Sequence, residues 1–257
     1  MSIFLCLAVM ATGCAGAATA SDPGAAASSA DRSTDAPADS SAATTRPSTP
    51  AATDRPIDYV ALGDSYTIGT SVRNDARWPN QLVRATRPQV RLRLVENLGL
   101  NGATSADVIS QQLPELDGLG PDLVSILIGV NDVFGGIPAE TYRHNVRQIL
   151  DDLTSRLPAD RVLVVSTPDY TLTSAGSGYP DPEGQSARIT EANDILRTEA
   201  ELRGLTFVDI TPVANEVPDD PSLVARDGLH PSAKQYAGWV ELIAPALREM
   251  LKSGDAP

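Results

Sequence analysis

Five apolar runs bounded by turn-forming residues recur along the chain: IDYVAL (57–62), VRLRLVEN (90–97), DLVSILIG (122–129), RVLVVST (161–167) and LTFVDI (205–210). Runs of this length and β-branched content read as buried strands. The intervals between them carry helical periodicity instead. It is clearest over 139–157, where Tyr142, Val146, Ile149, Leu150, Leu153 and Leu157 fall on one face. Further helices are predicted at about 76–87, 104–113, 186–203 and 232–251, the last with a kink at Pro245.

Strands that alternate with helices call for a parallel sheet covered on both faces and joined by right-handed crossovers. The predicted fold class is therefore α/β: a three-layer, doubly wound, mostly parallel five-stranded sheet. In such sheets ligands bind outside the carboxyl ends of the strands. A long Gly/Ser/Pro-rich stretch, Asp169 to Gln185, follows the fourth strand and is placed to flank a pocket there or to form a surface excursion.

The N-terminal part has a different pattern. Residues 3–11 (IFLCLAVMA) form an apolar run too short to span a bilayer but long enough for the core of an export signal. Ala11-Thr12-Gly13-Cys14 follows it and resembles a bacterial lipobox, with Ala11 where leucine is usual and no Lys or Arg before the run. Two outcomes fit: lipidation of Cys14, or cleavage near Ala15-Gly16-Ala17 with release. Residues 15–56, rich in Ala, Ser, Thr, Pro and Asp, cannot pack a core and read as a disordered tether with a mean reach of about 35 Å. The expected organisation is a signal segment over 1–14, a linker over 15–56, one globular domain over 57–252 and a flexible tail over 253–257. The protein is then exported, either anchored at the cell envelope or secreted.

Charge and composition narrow the partners. The chain carries 20 basic and 33 acidic residues, for a net charge of −13, and has no Lys/Arg-rich run to neutralise phosphates. Nucleic acid is excluded as a partner on that ground. Both cysteines, Cys6 and Cys14, lie in the leader, so the domain is stabilised by its core and not by disulfides. The expected membrane contact is the N-terminal lipid anchor alone, and the domain is taken as a monomer.

Candidate chemistry falls at the strand ends. Gly63-Asp64-Ser65-Tyr66 follows the first run, Asn97 to Thr104 (NLGLNGAT) the second and Gly129-Val130-Asn131-Asp132 the third, while Asp227-Gly228-Leu229-His230-Pro231 precedes the last helix. A serine hydroxyl needs a base within hydrogen-bond reach, and the base needs an acid to fix its tautomer. The domain has two histidines. His144 stands off the apolar stripe of its helix and reads as a surface residue, whereas His230 lies three residues after Asp227 at a helix entrance, which makes it the expected base.

In order and spacing these blocks resemble those of the SGNH (GDSL) hydrolase superfamily, from Tyr59 to about Leu247. The resemblance implies a flavodoxin-like hydrolase fold, Ser65 as nucleophile, Asp227 and His230 as its triad partners, and an oxyanion hole from Ser65, Gly102 and Asn131. Preorganised donors of this kind are typically worth on the order of 100- to 1000-fold in turnover each. Asp64 and Asp132 are read as structural, bonding nearby backbone amides. Tyr66, Val133 and Phe134 adjoin these positions, as pocket lining or as core.

The implied activity is hydrolysis of carboxylic esters through an acyl-enzyme. Short-chain or acetyl esters of small molecules or glycans are favoured because no long apolar lid is evident. A lysophospholipase or thioesterase stays open within that class; outside it, so do a non-catalytic binding module on the same fold and a flavodoxin-like cofactor domain. The sequence has no G-x-S-x-G elbow, HExxH, CxxC, GxGxxG or Walker loop, so neither metal nor cofactor is expected.

Overall fold

A computed structural model describes residues 55–253. The expected signal segment, Cys14, the linker through residue 54 and the tail beyond residue 253 lie outside the described residues.

Among the described residues, β1 (Ile57–Gly63), β2 (Leu92–Asn97), β3 (Leu123–Leu127), β4 (Val162–Val165) and β5 (Thr206–Val208) form one sheet. Its order is β2-β1-β3-β4-β5 and every pairing is parallel. The predicted fold class is the one observed. Tyr59–Leu62 of β1 and all of β3 are buried because helices cover both faces, so these strands are continuous apolar runs. β2, at the edge, alternates more and exposes Arg93 and Glu96.

The helices are α1 (Ser65–Ile68), α2 (Trp78–Ala85), α3 (Ser105–Asp107), α4 (Leu116–Leu119), α5 (Val130–Phe134), α6 (Ala139–Arg156), α7 (Pro182–Glu201), α8 (Thr211–Ala214) and α9 (Ala233–Ser253). α2 packs on α9 and α6 on α7, giving two helical layers around the sheet. The apolar stripe predicted for α6 buries Tyr142, Val146, Ile149, Leu150 and Leu153. α7 starts four residues before its predicted position because Asp181 caps it, accepting from the Gly184 amide at 3.1 Å, with Pro182 in the first turn. α9 continues through Pro245.

The single helix predicted over 104–113 is instead a chain of short pieces. α3 passes into a π turn over Val108–Gln112, a 3-10 turn over Leu113–Glu115 and then α4. Pro114 has no amide hydrogen to continue a regular ladder.

From β1 the chain runs to β2 on one side, then returns across to β3 on the other. Connections therefore diverge at the β1/β3 boundary, which opens a crevice above the carboxyl ends of these strands. The segments that leave β1, β2 and β3 carry Ser65, Gly102 and Asn131.

Candidate active site

Ser65 is the first residue of α1, immediately after the turn that ends β1. Gly63 makes that turn possible: its φ is +148°, and a Cβ there would lie 2.3 Å from the Leu127 carbonyl oxygen. Gln112, from the π turn, grips the same residue. Its amide nitrogen donates to the Gly63 carbonyl at 2.8 Å while its oxygen accepts from the Gly63 amide at 2.9 Å. Asp64 caps α1, accepting from the Tyr66 amide at 2.9 Å. Ser65 itself is 8% exposed. Neither its amide nor its hydroxyl has a protein hydrogen-bond partner among the described residues, so both remain available to a ligand.

The loop after β2 is tied to α1. Asn97 Nδ2 donates to the Thr67 carbonyl at 2.7 Å, and its Oδ1 accepts from the Gly99 amide at 3.1 Å. Gly99 lies so close to α1 that a Cβ would sit 2.6 Å from the Ile68 nitrogen. Asn97 and Thr104 thus have structural work: Thr104 closes a reciprocal cap with Asp107 at the start of α3. Gly102 has a φ of +78° and open space where a Cβ would be, and its amide has no protein acceptor.

Asn131 lies in the first turn of α5. Its Nδ2 donates to the Ala103 carbonyl at 2.9 Å, which uses one of its two hydrogens and fixes the amide beside the Gly102 loop. The next residue, Asp132, reaches back to α3, accepting from the Ser105 amide at 2.9 Å and from its hydroxyl at 2.5 Å. Burial raises the Asp132 pKa against these hydrogen bonds. Asp64 is pushed up to about 8, first by complete burial, then opposed by the Tyr66 amide and raised again by nearby Asp132. The structural reading of both carboxyls agrees with these contacts.

The fourth segment is the turn before α9, with Gly228 at φ +76°. Asp227 Oδ1 accepts from the amides of Leu229 at 2.9 Å and His230 at 3.0 Å. Its Oδ2 is 2.7 Å from His230 Nδ1 and also accepts from the Ser71 hydroxyl at 2.5 Å. Burial works against the charge on Asp227, but the donors from Ser71, Leu229 and His230 outweigh it and hold the carboxyl down at about 2. An ionised carboxylate can only accept, so Nδ1 carries the imidazole proton and Nε2 is left with a free lone pair. The His230 ring lies 5.6 Å from that of Tyr66, centroid to centroid, and the Tyr236 hydroxyl secures the Tyr66 carbonyl at 2.9 Å.

Ser65, Gly102, Asn131 and His230 all line one cavity of about 360 Å³. Residues from four distant parts of the chain thus meet at the crevice that the topology opens. Ser65 Oγ makes no hydrogen bond to His230; catalytic hydrogen bonds of this kind often tighten only in the complex with substrate. His144 is exposed on α6, away from the cavity. Tyr66 and Phe134 line the cavity, whereas Val133 is buried on another side of α5. The 169–185 stretch contributes Tyr170 and Tyr179 to the wall. Sequence reasoning missed Ser71, Gln112, Tyr170 and Tyr179. No periodicity or motif marks the first two, whose partners are 156 and 49 residues away. Among the described residues no cluster of His, Cys, Asp or Glu could hold a metal ion.

The profile of the GDSL-like Lipase/Acylhydrolase family matches residues 61–237, from mid-β1 into α9. The chain belongs to this family. The GDSL hydrolase is 28% identical over 187 residues to a lipase of Streptomyces rimosus, covering 60% of this chain and 69% of that protein. It is also 28% identical over 181 residues to an acetylxylan esterase of Geobacillus stearothermophilus, covering 66% and 77% respectively. A crystal structure of an acetylxylan esterase from Geobacillus stearothermophilus superposes with a TM-score of 0.60 at 20% identity, over 74% of this hydrolase and 94% of that chain. At that identity the likeness speaks for the fold.

Proposed function

We propose that this GDSL hydrolase cleaves carboxylic esters through an acyl-enzyme formed on Ser65. The observation that carries the reading is the Asp227–His230 contact of 2.7 Å, with Ser65 and His230 on the wall of the same cavity. His230 Nε2 takes the Ser65 proton as Oγ attacks the carbonyl carbon. Negative charge then develops on the carbonyl oxygen, and the free amides of Ser65 and Gly102 with the second Nδ2 hydrogen of Asn131 meet it. The imidazolium is stabilised by Asp227 and returns its proton to the departing alcohol oxygen. Water, deprotonated by the same nitrogen, next attacks the acyl-serine and releases the acid. Esters of small or short acyl groups are the proposed substrates.

The test is Ser65→Ala, assayed on 4-nitrophenyl acetate and by labelling with a fluorophosphonate. Turnover and labelling are both expected to vanish while the circular dichroism spectrum stays that of wild type, and His144→Ala is expected to retain nearly full activity. Ester cleavage by Ser65→Ala at the wild-type rate would refute the assignment.

A further inference from the structure

Three aromatic rings meet on one wall of the Ser65 cavity. Phe134 comes from the last turn of α5, three residues beyond Asn131, and Tyr170 and Tyr179 come from the stretch after β4. Centroids are 5.3 Å apart for Phe134–Tyr179 and 6.1 Å for Phe134–Tyr170 and Tyr170–Tyr179. The two tyrosines anchor the group: Tyr170 is buried and its hydroxyl donates to Gln185, and Tyr179 is partly buried. Phe134 differs from both. It is 57% exposed, the most exposed aromatic ring in the apolar part of this wall, and it faces the cavity rather than completing the core.

Phe134 continues an apolar patch with Tyr170 and Tyr179 on the lining of the Ser65 cavity, and an apolar patch within a cavity marks a ligand-binding surface. Loop anchoring does not account for the exposed Phe134 ring, because Tyr170 and Tyr179 already pack on each other. We infer that Phe134, with Tyr170 and Tyr179 behind it, is the subsite for an apolar group of the ester, and that Phe134 sets the preference for its length. This rests on the reading of Ser65 as the nucleophile and names the substrate class that the site favours: esters carrying a short aliphatic chain, ahead of bare acetates.

The ring geometry favours this class over a sugar laid across two aromatic faces. A pyranose stacks on a flat, open face. Here the interplanar angles are 73°, 60° and 60°, so no two rings form a common platform. Mutually tilted rings instead make a concave apolar corner, which suits an alkyl chain packed against edges and faces together. The cavity lining also has a polar part, where Thr70 Oγ1 donates to Asn101 Oδ1 at 2.5 Å. An ester with one apolar end fits a cavity divided in this way.

The chain could enter from the acyl or the alcohol side of the ester, and two substrate series distinguish them: ethyl acetate through ethyl octanoate, and ethyl through hexyl acetate, each followed by titration of released acid. In one of the two series, kcat/KM is expected to rise roughly three- to fourfold per added methylene until the corner is filled. With Phe134→Ala the gradient flattens, so the loss grows with chain length. Binding to the Ser65→Ala protein by calorimetry reads the subsite without catalysis: affinity for the same esters should rise with chain length and cease to do so in Ser65→Ala/Phe134→Ala. A flat profile in both series, a gradient that Phe134→Ala leaves intact, or acetylated xylo-oligosaccharides losing as much as hexyl acetate in the variant would each overturn the inference. If wild type cleaved no ester while calorimetry still showed the chain-length gradient, the nucleophile reading would fail and the subsite would stand.

Discussion

Ser71 is held at φ +66°, in the left-handed region that residues with a Cβ rarely occupy, and its hydroxyl ends on the Asp227 oxygen that faces His230. A conformation of this kind costs on the order of 1 kcal/mol and persists where surrounding contacts dictate it. Glycine adopts the same angle without that cost, so Ser71→Gly removes the hydroxyl and leaves the backbone unstrained. The strain relieved offsets most of the hydrogen bond lost, so thermal stability should change little. Activity should fall, by up to about tenfold in kcat/KM, because Asp227 loses a donor that fixes its orientation against the His230 ring. With one donor gone, the Asp227 carboxyl should rise from about 2 toward the ordinary carboxylate value, so acid inactivation of kcat/KM should set in at higher pH. Ser71→Asn, which tolerates a positive φ and restores a donor, should recover part of the loss. A Ser71→Gly enzyme with the wild-type pH profile and rate would show that the hydroxyl is incidental.

At the scale of elements, the π turn that carries Gln112 determines where β1 ends. Its side chain bonds both the backbone amide and the carbonyl of Gly63 from inside the core, one residue before Asp64 and two before Ser65. Gln112→Leu would leave the Gly63 amide buried without a partner, at a cost of about 1–3 kcal/mol. The urea midpoint should fall accordingly, and kcat should drop more than KM rises, because the turn that aims Ser65 loosens while the aromatic wall does not. Unchanged unfolding would remove Gln112 from this role. The same segment marks the limit of what the chain's pattern reveals. The five strands and the stripes of α2, α6, α7 and α9 were legible because each repeats one periodicity for long enough to register. The broken path from α3 to α4 was not, since it is dictated by Pro114 and by one side chain reaching back 49 residues. The short helices α1, α5 and α8 escaped for a related reason: four or five residues carry no measurable period. Ser65, Gly102 and Asn131 could be picked out because they follow strand ends in short blocks, and Asp227 and His230 because they stand three residues apart at a helix entrance, whereas Ser71, Tyr170 and Tyr179 depend on a tertiary approach that no local pattern encodes.

For the molecule as a whole, two groups of carboxyls pull stability in opposite directions with pH. Asp227, lowered to about 2, belongs to the first; so do Asp122 and Asp58, held low chiefly by hydrogen bonds from Arg55 and Arg93. Their folded pKa lies below the unfolded value near 4, so their contribution is complete above that pH and is lost as pH falls through the folded pKa. Asp64 and Asp132 form the second group, raised by burial behind the nucleophile turn. Asp132 accepts two hydrogen bonds on its two oxygens, whereas Asp64 Oδ2 is buried with no partner, so Asp64 is the one that keeps its proton. Above about pH 4 the unfolded chain ionises at Asp64 while the folded state holds the proton up to about 8. Folding therefore binds a proton throughout that window, and stability falls as pH rises across it. Maximum stability is expected in the mildly acidic range, with the urea midpoint decreasing from pH 5 to pH 8. Asp64→Asn keeps a helix-capping side chain of the same shape but cannot ionise, so its midpoint should fall less steeply over that range. Because slopes are compared, any pH-independent cost of burying the amide cancels. Parallel slopes in wild type and Asp64→Asn would mean that the proton resides elsewhere, with Asp132 the next carboxyl to replace.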